Sequence, residues 1–122
     1  MKVIDIAVAS YPVTDLKRAR QFYEGVLGLK EARFIGKEGK GFVEYDIGKS
    51  TLAIGNGAPD WKPSAGGGSV ALEVDDFDSA INRLRASGCG FRLEPMETPV
   101  CHMAIVSDPD GNSVTIHQRK AK

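Results

Sequence analysis

Apolar and polar residues follow two different periods along this chain. In the stretch DPDGNSVTI (108–116), Val114 and Ile116 alternate with polar residues, which is the two-residue period of a strand with one buried face. The Asp, Pro, Gly and Asn residues that open the stretch are typical of a turn. Between residues 15 and 27, apolar side chains instead recur every three or four positions, as in an amphipathic helix. The pattern therefore predicts both strands and helices.

In chain order, these periods predict one helix and four strands in each half of the chain. Residues 3–11 are nearly all apolar, so we expect a central first strand that is covered on both faces. A polar residue is expected to cap each helix (Thr14 or Asp15, then Asp76), and a glycine to end it. The predicted strands are 3–11, 31–35, 42–47, 51–54, 69–74, 90–93, 101–107 and 113–118, and the predicted helices are 15–27 and 76–88.

The two halves of the chain resemble each other. Residues 46–54 align with residues 108–116 at an offset of 62, and residues 13–16 align with residues 74–77 at an offset of 61. Two matches at nearly the same offset indicate a duplicated unit of about sixty residues, which is longer than the usual solenoid repeats.

Two βαβββ units predict an α+β fold, in which curved mixed sheets surround a cleft and the helices lie on the outer face. We expect a single domain, 1–122, made of a first module (1–56), a linker (57–68) and a second module (69–118). Trp61 lies in this Gly- and Pro-rich linker, and two interpretations of it stay open. The segment is either a lid over a pocket, or a linker whose tryptophan covers an edge of the core.

Composition narrows the possible functions. Sixteen basic and sixteen acidic residues cancel, so we expect neither nucleic acid nor an anionic membrane as a partner. No apolar run is long enough to span a bilayer, and Asp5 interrupts the apolar N-terminus, which argues against a signal peptide. These features predict a cytoplasmic protein. Cys89 and Cys101 match no zinc or redox motif and are interpreted as free buried thiols.

Three segments of the chain carry a resemblance to a known family. They are VTDLKRARQFYEGVLGL (13–29), VALEVDDFDSAINRL (70–84) and DPDGNSVTI (108–116). In order and spacing they resemble the vicinal oxygen chelate superfamily, which includes glyoxalase I, bleomycin resistance protein, fosfomycin resistance proteins and extradiol dioxygenases. The resemblance implies two βαβββ units around a cleft, often within a homodimer.

The resemblance also locates the positions at which members of that superfamily bind a metal ion through His, Glu or Gln. Here those positions hold Val8, Ala53, Ser69 and Thr115. Valine and alanine offer no donor atom, and neutral hydroxyls are weak ligands beside imidazole or carboxylate. We therefore expect no metal in the family's manner, and no cofactor.

Other residues near these positions offer acid–base chemistry. His117 lies two residues past Thr115 and shares its face of the strand, whereas the facing of His102 stays open. His117 with Glu73 or Glu44 can form either an improvised metal site or a metal-free acid–base pair. The favoured interpretation is plainer, namely a hydrogen-bonded histidine near a strand end.

The leading hypothesis is a metal-free small-molecule binding protein that forms a homodimer. One alternative is an enzyme of the same superfamily, of lyase, isomerase or dioxygenase type, that uses a relocated metal or acid–base chemistry around His117. Another is an interaction protein that kept the fold and lost the site. The small molecule is unidentified. Thr115 and His117 are expected to supply its polar contacts, and Trp61 is expected to close over them. The predicted ligand-binding residues are Val8, Ser10, Ala53, Trp61, Ser69, Thr115 and His117, in a cleft that Ala71 also lines.

Overall fold

The computed structural model describes residues 1–2 and 4–121. The chain forms two compact units, Met1–Pro63 and Ser64–Lys122. Each unit contains a four-stranded mixed sheet and one helical segment. The predicted α+β class, with two βαβββ modules, is therefore confirmed. The division between the units falls inside the segment interpreted as a linker.

The first unit contains four strands and a helix that changes type along its length. Its sheet has the order β1-β4-β3-β2, with β1 parallel to β4 and the other pairs antiparallel. Strands β2 and β3 are longer than predicted, and the turn between them is only two residues long. The elements are β1 (Ala9–Pro12), α1 (Leu16–Arg20), a π-helical segment (Gln21–Val26), β2 (Glu31–Lys37), β3 (Lys40–Ile47) and β4 (Ser50–Gly55).

The prediction for the first strand was wrong in extent and in position. Strand β1 begins at Ala9 and is an edge strand of its sheet, whereas a central strand at residues 3–11 was expected. Ile4 and Ile6 lie outside the strand and are exposed, and Val3 lies outside the described residues. An apolar run predicts only that a segment becomes buried. It does not distinguish a central strand from a segment that is buried when chains assemble.

The first helix begins as predicted and then departs from α-helical geometry. The side chain of Asp15 accepts a hydrogen bond from the backbone N–H of Arg18, which satisfies one free donor of the first turn. At the other end, the backbone N–H of Leu27 donates to the carbonyl of Phe22, five residues back, which is the bond of a π-helix. The helix is followed by Gly28 at a φ of 75°.

The second unit repeats this arrangement with an ordinary α-helix. Its sheet has the order β5-β8-β7-β6, with β5 parallel to β8. Asp76 caps the helix through the N–H of Ser79, and Gly88 ends it in the left-handed conformation. Strand β6 is longer than predicted, and β5 is shorter and leaves out Ser69. The elements are β5 (Val70–Glu73), α2 (Phe77–Ser87), β6 (Phe91–Glu97), β7 (Cys101–Ser107) and β8 (Ser113–Arg119).

The turn before β8 has the geometry that its sequence predicts. The carboxylate of Asp108 accepts hydrogen bonds from the backbone N–H groups of Asp110 and Asn112. The Asn112 side chain donates to Asp108 and accepts from the N–H of Ser64, so it joins the turn to the start of the second unit. Because Asn112 is buried, these bonds replace the water that its amide loses on folding.

In each sheet, one face packs against the helical segment. In the first unit, Tyr23 of the π-helical segment stacks against Tyr45 of β3, with ring centroids 6.3 Å apart. In the second unit, Phe77 and Ile81 of α2 belong to the core together with Ile116 of β8. Side chains alternate along each strand, so the neighbours of Tyr45 and Ile116 face the other side of their sheets.

Both cysteines are free. Cys101 is buried as expected, whereas Cys89 is only half-buried, because it follows the end of α2. Among the described residues, no helix has the length and apolar character needed to cross a membrane.

Candidate functional site

The two parallel strand pairs place the predicted site residues in equivalent positions of the two units. In the first unit, Ser10 of β1 lies opposite Ala53 of β4. In the second unit, Ala71 of β5 lies opposite Thr115 of β8. These pairs are related by the offsets of 61 and 62 found in the sequence, so the internal repeat extends to the register of the sheets.

The four positions that the resemblance assigns to metal ligands do not suit a metal ion. Ala53 is 3% exposed and presents only a methyl group, and Val8 precedes β1, is 44% exposed and has no donor atom. Ser69 and Thr115 offer neutral hydroxyls, which compete poorly with water for a divalent cation. In the described part of the chain, no group of three or more His, Cys, Asp or Glu side chains is arranged to hold a metal ion.

Val8 and Ser69 were both predicted to lie in first strands, and both lie just before them. Strand β1 begins at Ala9 and β5 at Val70. The ladder of their own sheet fixes the facing of the other cleft positions, which are Ser10, Ala53, Ala71, Thr115 and His117.

His117 forms a pair with Glu73 in the second unit. The two residues are register partners on β8 and β5, and the His117 Nδ1 atom lies 2.6 Å from Glu73 Oε1. The other carboxylate oxygen of Glu73 accepts the backbone N–H of Arg119 at 2.7 Å. Of the two carboxylates considered in the sequence, Glu73 is thus the one that contacts His117.

These contacts act on the Glu73 carboxylate and on the choice of imidazole tautomer. The backbone N–H of Arg119, and after it the His117 side chain, lower the pKa of Glu73, so its carboxylate stays ionised at neutral pH. An ionised carboxylate only accepts hydrogen bonds, which places the imidazole proton on Nδ1. The Nε2 atom of a neutral His117 is then an acceptor, and the pair has the geometry of an oriented general base.

His102 has no part in this arrangement, which settles the facing that the sequence left open. It lies on the helix-packed face of β7, where its ring centroid is 5.6 Å from that of Phe77. The two histidines of the chain therefore face opposite sides of the second sheet.

The first unit carries a charged cluster that the sequence did not predict. Glu44 lies opposite Ala53, on the face away from the helix, and Arg33 lies opposite Glu44. Arg33 donates to Glu44 at 2.6 Å and to Asp46 at 2.5 Å, and together with Thr51 it lowers the pKa of Asp46. Simple alternation did not find Arg33, because a register shift between Glu31 and Arg33 changes the facing of β2.

Trp61 packs on Phe42 in the first unit. Their ring centroids are 6.2 Å apart at an interplanar angle of 30°, and Trp61 is half-buried. Phe42 in turn lies over Gly55, its register partner on β4. Trp61 is thus held on the same face of the first sheet as Glu44 and Ala53.

Comparisons with known proteins agree with this architecture. The family model of the glyoxalase/bleomycin resistance protein/dioxygenase superfamily matches residues 5–116. A lactoylglutathione lyase from Haemophilus influenzae is 29% identical over 119 residues, covering 89% of this chain and 88% of that protein. A probable lactoylglutathione lyase from Synechocystis is also 29% identical, over 90% of this chain and 92% of its own length.

Solved structures share the fold over nearly the whole chain. A glyoxalase/bleomycin resistance protein from Streptomyces sp. CB03234 is 27% identical, with a TM-score of 0.76, over 93% of this chain and 100% of that one. TnmS3, an antibiotic binding protein from the same organism, is 24% identical, with a TM-score of 0.81, over 98% and 99% of the two chains. Two βαβββ modules with parallel first and last strands are the fold of this class. The chain belongs to the glyoxalase/bleomycin resistance protein/dioxygenase superfamily.

Proposed function

We propose that this protein binds a small molecule without the help of a divalent metal ion. The observation that carries the proposal is the chemistry of the four ligand positions, where Val8, Ala53, Ser69 and Thr115 stand. A buried methyl group at Ala53 removes one ligand outright. None of the four positions offers a strong metal ligand, which fits a binding role better than metal-dependent chemistry.

The proposed ligand surface is mainly apolar with a few hydroxyls, which is the usual character of small-molecule sites. In the first unit this surface consists of Ser10 and Ala53, and in the second unit an equivalent surface consists of Thr115 and His117. Trp61 is proposed to close over the bound molecule, because tryptophan combines a large apolar area with one polar group. Phe42 supports the Trp61 ring for this role.

We also propose that the protein acts as a homodimer in the cytoplasm. Several apolar side chains are exposed in the single chain, which is unfavourable unless a partner covers them. A symmetric dimer is the commonest closed assembly. Balanced charge and two free cysteines are compatible with a reducing compartment. The exposed apolar residues outside the proposed ligand sites include Ile4, Ile6 and Ile35.

Metal analysis combined with a ligand screen tests the binding proposal. The protein is purified without chelators, dialysed mildly, and analysed for zinc, nickel, manganese and iron. We expect no stoichiometric metal, and we expect at least one metabolite in a thermal-shift screen to raise the Tm of this metal-depleted protein. One tightly bound metal ion per chain, or stabilisation by ligands only after metal is restored, would overturn the proposal.

A second candidate function is acid–base catalysis by His117. The 2.6 Å contact with Glu73 favours it, because a carboxylate that orients an imidazole is a common arrangement for proton transfer. The relatives named lactoylglutathione lyase are enzymes of the same superfamily. Turnover of a bound metabolite that is lost in His117→Ala and unchanged by a chelator would establish this function.

A further inference from the structure

A cavity of about 540 Å³ adjoins the His117–Glu73 pair in the second unit. Its volume lies in the range of small-molecule sites, which is about 300–1,000 Å³. It lies at the end of β8 and beside the segment that precedes β7. The residues that line it are Pro99, Val100, His117, Arg119, Lys120 and Ala121.

The hydrogen-bonding group that this cavity offers is the Nε2 atom of His117. Nδ1 is already engaged by Glu73, which does not line the cavity, so Nε2 is the ring nitrogen left for a ligand. Among the described residues, no hydrogen-bond partner of Nε2 is found, and the side chain is 25% exposed. A neutral imidazole fixed in this tautomer accepts a hydrogen bond at Nε2 and selects a ligand that donates one.

The rest of the lining defines the other properties of the ligand. Pro99, Val100 and Ala121 form an apolar side that favours a hydrocarbon or aromatic body. Arg119 and Lys120 place positive charge nearby; the Lys120 ammonium is paired with Glu97, and Arg119 also interacts with Glu73. Positive charge favours a donor oxygen that carries partial negative charge, and thus an acidic hydroxyl over an aliphatic alcohol.

We propose that this cavity binds a small phenol, whose hydroxyl donates to His117 Nε2 and whose ring packs on Pro99 and Val100. A carboxylate fits less well, because at neutral pH it has no proton to donate to an acceptor nitrogen. The inference rests on the proposed small-molecule binding function and specifies its ligand class.

Binding of para-nitrophenol tests the proposal directly. Titration calorimetry on the metal-depleted full chain is carried out at about pH 7, near the pKa of the phenol and above the usual pKa of histidine, so that the hydroxyl proton and an acceptor imidazole are both present. para-Nitroanisole is the matched probe, because it keeps the ring and lacks the donor proton. We expect the wild-type protein to bind para-nitrophenol about tenfold more tightly, the effect of one well-placed hydrogen bond.

Two matched variants locate the site. His117→Phe keeps an aromatic ring and removes the acceptor, whereas His102→Phe makes the same change on the opposite face of the sheet. We expect His117→Phe to weaken para-nitrophenol about tenfold and to equalise the two probes, and His102→Phe to leave their ratio unchanged. If His117→Phe does not fold, Val100→Asp changes an exposed wall residue, and we expect it to weaken both probes together.

Specific outcomes overturn the proposal. Equal binding of the two probes by wild type, or equal effects of the two histidine variants, would mean that Nε2 does not accept the hydroxyl. Tighter binding of para-nitrobenzoate than of para-nitrophenol would mean that the site selects anions. If the metal-depleted protein binds other metabolites and not para-nitrophenol, the phenol site alone is wrong; if it binds none without added metal, the proposed function is wrong.

Discussion

The ring of Phe42 occupies the space that a β-carbon on Gly55 would need. A Cβ atom built on Gly55 would lie 2.1 Å from Phe42 Cδ1, closer than any real contact. The two residues are register partners on β3 and β4, so the ring lies across the strand that carries Ala53. Gly55 therefore allows Phe42, and through it Trp61, to lie flat on this face of the sheet.

Replacing Gly55 by alanine should destabilise the protein by about 1–3 kcal/mol, because the Phe42 ring must move away from a packed position. Urea denaturation followed by circular dichroism measures the change. Gly90→Ala is the matched control, since a Cβ at Gly90 has no atom within 4 Å. A Gly55→Ala protein as stable as Gly90→Ala would show that the ring moves freely.

Removing the Trp61 ring should weaken binding more than it weakens the fold. Trp61→Ala is expected to cost about 1–3 kcal/mol in affinity for a ligand found by screening, the scale of a lost buried contact at a binding site. Stability should change less, because the ring is only half-buried. Trp61→Phe, which keeps an aromatic contact with Phe42, should retain most of the affinity. If the Trp61→Ala protein is unfolded, Trp61 is a core residue and does not act as a lid.

Glu73 should stabilise the folded protein at neutral pH and should contribute less as the pH falls. Its pKa in the folded protein is lowered below 4.5 by the N–H of Arg119 and by His117. A carboxylate whose pKa is lowered by folding stabilises the folded protein. This stabilisation is complete at pH values above the pKa of the unfolded state, and it is lost as the pH falls through the pKa of the folded state. Glu73→Gln should thus lower the Tm at neutral pH, and the difference from wild type should shrink in acid. Glu38→Gln, in the exposed β2–β3 turn, should show no such trend.

Light scattering tests the proposed homodimer. At micromolar concentration we expect twice the mass of the 13.1 kDa chain. Ile6→Asp should shift the equilibrium towards monomer, because it adds charge to an exposed apolar segment that a dimer would cover. Lys2→Asp is the control for charge in the same segment. A wild-type monomer at this concentration would contradict the proposal.

Local signals in the sequence predicted most of the fold. The caps at Asp15 and Asp76, and the glycines that end the helices, are chemical signals that act over a few residues. The internal repeat predicted that the two units are built alike. The equivalent register pairs Ser10–Ala53 and Ala71–Thr115 confirm this. The position of β1 was not predictable, because strand order depends on pairing between distant residues.

The sequence placed Ser10, Ala53 and Thr115 in strands, as the structure does, but it left the side-chain contacts around His117 open. The pair of His117 with Glu73 was one of two possibilities in the sequence, and register on parallel strands decides between them. Arg33 was missed because a bulge reverses the side to which it points. The facing of His102 was hidden because both faces of β7 are largely apolar. Such features depend on pairing geometry, which residue type alone does not specify.

The π-helical segment accounts for a difference of one residue between the helices of the two units. Asp15 and Gly28 are 13 positions apart, whereas Asp76 and Gly88, with the same capping roles, are 12 apart. An added residue in an α-helix ordinarily rotates everything after it by about 100°. Here the wider turn, with its bond from Leu27 to Phe22, takes up the addition and leaves Gly28 at its φ of 75°. The wider turn thus lets the two helical segments differ by one residue while the parallel strand pairs of the two units keep equivalent registers.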